Sequence, residues 1–345
     1  MPTMKAAVFH GIKDVKLEDV EIPQPGPGEI LVKIRAALTC GTDAKTYLRG
    51  AGKSYAAAVK IFGHEFAGDI VKLGEGVTSF SEGQRVVSAN SAPCQKCYYC
   101  KMGRYPLCEN LTWLWGTFAE YIVVPSPIVA QNTYIIPDHV GYKEAALTEP
   151  LACVLHGIER AEMKMGDTIV INGAGPIGLM YVVLARLKGV KIIVTDIREE
   201  RLKIAKRLGA DHVINVGQVK NAIKAVKDLT EGGRGVDVAI EAVGKPEIWE
   251  QTIAMGRKGA TISLFGGCPS GTFIRIDTSW IHYDELKIIG VFHHTPYYIK
   301  RAFQMICDGR IPTQELITHE LSLRDVQKAL EMITTQQGIK IALIP

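Results

Sequence analysis

The sequence predicts an α/β protein of two domains, a doubly wound parallel sheet and a β-rich, barrel-like domain split around it. Three observations carry this expectation. The chain has 345 residues, 47% of them hydrophobic, which is more than one core ordinarily accommodates and enough for two. From Met4 to Val124, short β-prone runs such as Lys5–Phe9 and Glu29–Ile34 alternate with Pro/Gly-rich breaks such as Pro23–Gly28. After Glu149 the texture changes to strand and helix in alternation.

Within that second region the pattern reads in order as a strand at Asp167–Asn172, a helix through Arg186, a strand at Lys191–Thr195 and a helix through Leu208. Further strands are expected near Val213, at Val236–Ile240 and at Ala260–Phe265, with an amphipathic Lys220–Leu229 between the first two. Beyond Val291 come a helix at Tyr298–Asp308, a stretch around Ile317–Leu321, a helix from Leu323 and a closing strand at Lys340–Ile344. These suit a return to the first domain. The expected division is therefore 1–149, 150–290 and 291–345, with no internal repeat, low-complexity tract or long linker.

Lys plus Arg number 40 against 36 Asp plus Glu, a formal charge of +4. So small and dispersed an excess argues against nucleic acid or an anionic membrane as partner and leaves a small molecule. No apolar run reaches the roughly 18 residues needed to span a bilayer, and Met1–His10 lacks the order of a signal peptide, so a cytoplasmic protein is expected. Four of the eight cysteines fall within fifteen residues. In a large chain of a reducing compartment, such clustering points to metal and away from disulfides.

Gly173-Ala174-Gly175-Pro176-Ile177-Gly178 follows an apolar strand and opens a helical pattern, the context in which G-x-G-x-x-G cradles a pyrophosphate. Gly173 permits the turn, Gly175 lets the backbone approach the phosphates, and Gly178 lets helix and strand pack closely. The helix N-terminus adds partial positive charge. The next strand ends at Asp196, where a carboxylate accepts hydrogen bonds from the adenosine ribose hydroxyls and repels a 2′-phosphate. That favours NAD over NADP. Arg198 and Arg201 leave an opposing possibility, since an arginine beside the ribose welcomes a 2′-phosphate.

Cys94, Cys97, Cys100 and Cys108 form C-x2-C-x2-C-x7-C, four thiolates that one loop wraps around a tetrahedral ion. Four thiolates fill the coordination sphere, so a zinc here is structural; an iron–sulfur centre is the chemical competitor. A second, dispersed constellation comprises Cys40-Gly41-Thr42-Asp43, Gly63-His64-Glu65 and Glu149-Pro150. Taken singly each is unremarkable, and a lone histidine such as His64 is more often a packed core residue than a ligand.

Taken with Cys100–Tyr105, Ala146–Pro150, the glycine motif and Ile289-Gly290-Val291-Phe292, these segments make the chain resemble, end to end, the zinc-containing medium-chain alcohol dehydrogenases, in the branch of sorbitol, threonine and related polyol dehydrogenases. The resemblance implies a GroES-like catalytic domain split around a Rossmann domain, as a homodimer or homotetramer, with two zincs per chain, one catalytic and one structural, and NAD. It implies that Cys40, His64 and Glu149 hold the catalytic zinc and that Glu65 replaces a ligand as coordination changes. Cofactor contacts are implied at Gly173, Gly175, Pro176, Ile177, Gly178, Asp196, Arg201, Phe265 and Val291.

The expected activity is reversible oxidation of a secondary alcohol or polyol to a ketone, with hydride transfer to NAD. A zinc with three protein ligands keeps a position open for the alcohol and lowers its hydroxyl pKa. Thr42 resembles the family's hydroxyl that takes the substrate proton, whereas Asp43 is assigned to holding the site together. Lys45 stands where many zinc relatives place a histidine; a lysine ordinarily carries its proton at neutral pH, so it is read as pairing with a cofactor phosphate or facing water. His293 and His294 replace the arginine and tyrosine that follow Gly-Val-Phe in sorbitol dehydrogenase, and Asn90, Trp113 and Trp115 lie in segments that line the substrate channel in relatives. A site smaller than a polyol site is expected. The alternatives are an L-threonine 3-dehydrogenase-like activity, a metal-free quinone or enoyl reductase-like relative, and a nucleotide-binding protein that lost the chemistry.

Overall fold

The computed structural model describes residues 2–50 and 60–345, which divide into two compact units, Met1–Ala152 with His294–Pro345, and Cys153–His293. The first unit is built on a seven-stranded sheet. Its strands run in the order Ile317–Ser322, Lys340–Ile344, Ile30–Leu38, Glu65–Leu73, Arg85–Ser88 and Thr133–Ile135, and Tyr121–Val124 also pairs with Ile30–Leu38. Thr3–Gly11 and Asp14–Glu21 form a separate antiparallel hairpin. Ile30, Val32, Ile34, Phe62, Phe66, Phe118 and Ile341 are among the buried side chains of its core.

The C-terminal return is the feature of this unit that matters for the site. Lys340–Ile344 lies between Ile317–Ser322 and Ile30–Leu38, with Ala342 opposite Leu38 and Leu343 opposite Ala37. A strand flanked on both edges and covered on both faces is expected to be apolar throughout, yet its first residue is Lys340, buried to 1% exposure. The contact continues past the sheet register: the Thr39 N–H donates to the Ile341 carbonyl, and the Ile341 N–H donates to the Thr39 side-chain Oγ1. The lysine is thereby held at the end of the strand that leads into Cys40.

The second unit is a six-stranded parallel sheet in the order His212–Asn215, Lys191–Asp196, Thr168–Asn172, Val236–Glu241, Gly256–Leu264, Lys287–Gly290. The first three strands step outward in one direction and the last three in the other, so the topological switch lies between Thr168–Asn172 and Val236–Glu241. Ligands of such sheets bind at that switch, beyond the carboxyl ends of the strands. Helix Pro176–Leu187 buries every residue from Gly178 to Ala185, which explains why its sequence is apolar all round. The amphipathic stretch forms a shorter helix, Ala222–Lys227, whose N-cap Asn221 accepts the Lys224 N–H. Among the described residues no helix is long and apolar enough to cross a membrane.

Candidate active site and cofactor site

Cys40 caps helix Gly41–Arg49, and Asp43 in the first turn joins two of the expected ligands. Its Oδ2 accepts the Cys40 N–H at 2.8 Å, and its Oδ1 lies 3.5 Å from His64 Nδ1. A carboxylate behind one ring nitrogen fixes imidazole orientation and leaves the other nitrogen for a metal. Cys40, His64 and Glu65 offer donor atoms that all lie within 4.8 Å of one another. Burial pushes the Cys40 thiol up, but the His64 and Lys340 charges outweigh it and bring the thiol down to about 7. The donor set therefore fits a zinc ion.

Glu65 is fully buried and both its carboxylate oxygens are met by Lys340 Nζ at 2.5 Å. Sequence reasoning overlooked Lys340. The available signal was a lysine inside the apolar run Ile339–Ile344, since a charge buried in a central strand needs a partner. Glu149, near the start of helix Thr148–Arg160, falls outside the Cys40, His64 and Glu65 group; its Oε1 lies 3.9 Å from His294 Nε2. That ring in turn contacts Asn90 Oδ1 at 2.9 Å. Trp113 and Trp115 stack at 6.1 Å, and Trp115 meets the His64 ring edge-on at 5.1 Å. Thr42 is half-buried in the first helical turn, and Lys45 is exposed.

The four thiols Cys94, Cys97, Cys100 and Cys108 also lie within 4.8 Å of one another. Backbone N–H groups of Cys94 and Asn110 point at Cys108 Sγ, at 3.2 and 3.4 Å. Those of Lys96 and Cys97 draw the Cys94 thiol down to about 6, whereas burial and the neighbouring thiols push Cys100 up to about 12. Four thiolates at this spacing need a cation between them, and a closed tetrahedral zinc meets that need.

In the second unit Gly173 adopts φ 103°, and a Cβ on Gly178 would fall 1.8 Å from the Gly173 carbonyl oxygen, so both positions require glycine. The turn leads into Pro176 and Ile177, at the start of the buried helix. Asp196 closes the adjacent strand and anchors this turn: Oδ2 accepts the Ala174 N–H at 2.7 Å and Oδ1 the Arg198 N–H at 2.9 Å. Each oxygen retains acceptor capacity for a ribose hydroxyl. The Arg201 guanidinium stands 3.7 Å from where a Gly175 Cβ would be, within the field of Asp196. Phe265 packs edge-on against Tyr181, and Val291 is buried with its N–H on the Leu264 carbonyl. The open backbone above the glycines, a helix N-terminus and an acid beyond the second strand fit a dinucleotide.

Comparisons with known proteins agree with this geometry. Residues 26–138 match the alcohol dehydrogenase GroES-like domain, and residues 176–308 the zinc-binding dehydrogenase family. The chain is 36% identical over 335 residues to sorbitol dehydrogenase of Bacillus subtilis (strain 168), covering 95% of this chain and 93% of that one. It is also 36% identical over 362 residues to the erythritol/L-threitol dehydrogenase of Mycolicibacterium smegmatis, covering 99% and 98%. Among solved structures, a zinc-binding dehydrogenase from Sinorhizobium meliloti 1021 bound to NADP superposes with a TM-score of 0.91 at 31% identity over 100% of both chains. Fold and site together define a zinc-binding, dinucleotide-dependent dehydrogenase. The chain belongs to the zinc-dependent alcohol dehydrogenase family, with a GroES-like unit and a Rossmann unit, and it is an oxidoreductase of alcohols or polyols.

Proposed function

We propose that this dehydrogenase interconverts a short secondary alcohol or vicinal diol and its ketone, in preference to a long polyol, with NAD as the hydride acceptor. The observation that supports the substrate class is the buried contact between His294 and Asn90, beside Glu149 and near the Trp113–Trp115 stack. It closes a polar contact between two short side chains, where a long polyol calls for several free donors and acceptors. The name of the M. smegmatis relative, which acts on four-carbon polyols, supports a short chain.

Cys40, His64 and Glu149 are the residues proposed to hold the catalytic zinc, with Glu65 as the alternate carboxylate, and Cys94, Cys97, Cys100 and Cys108 the structural zinc. When bound, the catalytic zinc supplies Lewis acidity that lowers the pKa of the alcohol. Asp43 keeps Cys40 and His64 in place, so little reorganisation accompanies the reaction. The Thr42 hydroxyl would take the substrate proton. Asp196 would accept the ribose hydroxyls of a bound dinucleotide and the glycine turn with Arg201 would hold its pyrophosphate, so these residues fix the cofactor's orientation. We further propose a cytoplasmic homodimer or homotetramer.

The test is a panel of short secondary alcohols, vicinal diols, sorbitol, iditol and L-threonine assayed with NAD, reporting relative kcat/KM alongside bound-metal analysis. Two zincs and the highest kcat/KM on a short alcohol or diol are expected. Sorbitol or iditol outperforming every short substrate would overturn the substrate class; L-threonine outperforming all would move the enzyme to that branch; and turnover without zinc would overturn the metal assignment.

A further inference from the structure

Glu241 closes the strand Val236–Glu241 and is fully buried. Its Oε1 accepts the Val243 and Gly244 N–H groups at 2.9 and 2.8 Å. Its main-chain oxygen accepts those of Phe265 and Gly266 at 3.1 and 3.0 Å. One residue thus ties together the turns that follow two adjacent strands. Trp249 reinforces the link by donating its indole N–H to the Gly266 carbonyl at 2.9 Å. Burial raises the carboxyl above its ordinary range, and the N–H groups aimed at it partly offset that rise by favouring the charged form.

The strand order says what lies above these turns. Asp196, on Lys191–Asp196, marks the adenosine side, and the glycine turn after Thr168–Asn172 takes the pyrophosphate. The other half of the dinucleotide must then extend away from Asp196, over the ends of Val236–Glu241 and Gly256–Leu264. The nicotinamide ring is a cation when oxidised and neutral when reduced. A charge buried in low dielectric is poorly screened, so it distinguishes those two states.

We propose that Glu241 is an electrostatic positioning residue for the nicotinamide end of the cofactor, its buried carboxylate favouring the oxidised ring over the reduced one. The role extends beyond holding two turns together, because it selects between redox states of one ligand. It rests on the cofactor site assigned above, and the test keeps the two separable.

Dissociation constants for NAD+, NADH and ADP-ribose are measured on the zinc-loaded enzyme by protein fluorescence, for the wild type and for Glu241→Gln. Gln keeps an acceptor for Val243 and Gly244 and removes the charge. The expected result is a loss of NAD+ affinity on the order of five- to tenfold, with NADH and ADP-ribose changed less than about twofold. Equal weakening of NAD+ and NADH, weakening of ADP-ribose as large as that of NAD+, or no change in any of them would overturn the proposal. Failure of the wild type to bind NADH and ADP-ribose at all would overturn the cofactor site itself, and the proposal with it. Should Glu241→Gln not fold, Glu241→Asp carries the test: the charge remains, so the NAD+ to NADH affinity ratio must stay within about twofold of wild type, and a larger change refutes the role.

Discussion

Lys340 Nζ sits 2.5 Å from both carboxylate oxygens of Glu65, in an ion pair whose two side chains are at most 1% exposed. Two charges removed from water in this way are tolerable only as a pair. Glu65 also belongs to the Cys40–His64 donor group, so the Lys340 pair holds a carboxylate of the proposed metal site.

Replacing one member of that pair has a predictable cost. Lys340→Met strands a buried carboxylate and should lower unfolding stability by about 3–5 kcal/mol, read from urea denaturation. Lys340→Met/Glu65→Gln should recover a good part of the loss, because no charge is then left without a partner. Strictly additive effects of the two substitutions would show that the contact contributes no coupling.

Metal removal should proceed in two stages. In the proposed assignment the four-thiolate site is closed, whereas the Cys40 site keeps a position for substrate and should exchange more readily. During graded chelation, activity and one zinc per chain should disappear while far-UV circular dichroism stays unchanged, and the fold should give way only with the second zinc. Loss of activity and fold together under mild chelation would count against a structural role for Cys94, Cys97, Cys100 and Cys108.

Asp196 anchors Ala174 and Arg198 and is the residue proposed to accept the adenosine ribose. Asp196→Ala should therefore reduce kcat/KM for NAD by at least about tenfold, a loss of roughly 1.4 kcal/mol, and affect NADP less, since the repulsion of a 2′-phosphate goes with the carboxylate. Steady-state kinetics with both cofactors checks this. Equal kcat/KM for NAD and NADP in the wild type would instead place Arg201 and Arg198 in charge of a 2′-phosphate.

His156 should make stability depend on pH. It is buried, its Nδ1–H donates to the His293 carbonyl at 2.8 Å, and burial holds its pKa below the ordinary 6.5. The native state therefore resists a proton that the unfolded chain accepts. The stabilising contribution is present above 6.5 and is lost as pH falls through the depressed native pKa. On going from pH 7.5 to 5.5, the wild type should lose on the order of 1 kcal/mol more stability than His156→Gln. Parallel denaturation midpoints for the two proteins across that range would contradict the sign.

The parts of this protein that the sequence determined by itself are those in which chemistry and chain spacing are local. The four cysteines lie on one loop, Gly173 to Gly178 lie on one turn, and Asp196 closes the next strand in the alternating pattern, so each could be read without knowing what packs against it. Helix positions such as Tyr298–Asp308, observed as Pro296–Cys307, were legible for the same reason, since periodicity records one buried face. Contacts between distant segments were not. Lys340 meets Glu65 across 275 residues, and His294 meets Asn90 across 204. Both contacts arise from tertiary packing, and the first from the register that sets Lys340–Ile344 beside Ile30–Leu38. Shifting that strand by one residue would turn each of its side chains to the opposite face. Glu241 likewise looks like an ordinary strand end until the parallel order brings the turns at Val243 and Gly266 together around its carboxylate and carbonyl. Local preferences select helix, strand and motif, but which charges share a buried space is decided only when sheets close, because the cost of desolvating them exists only in the folded interior.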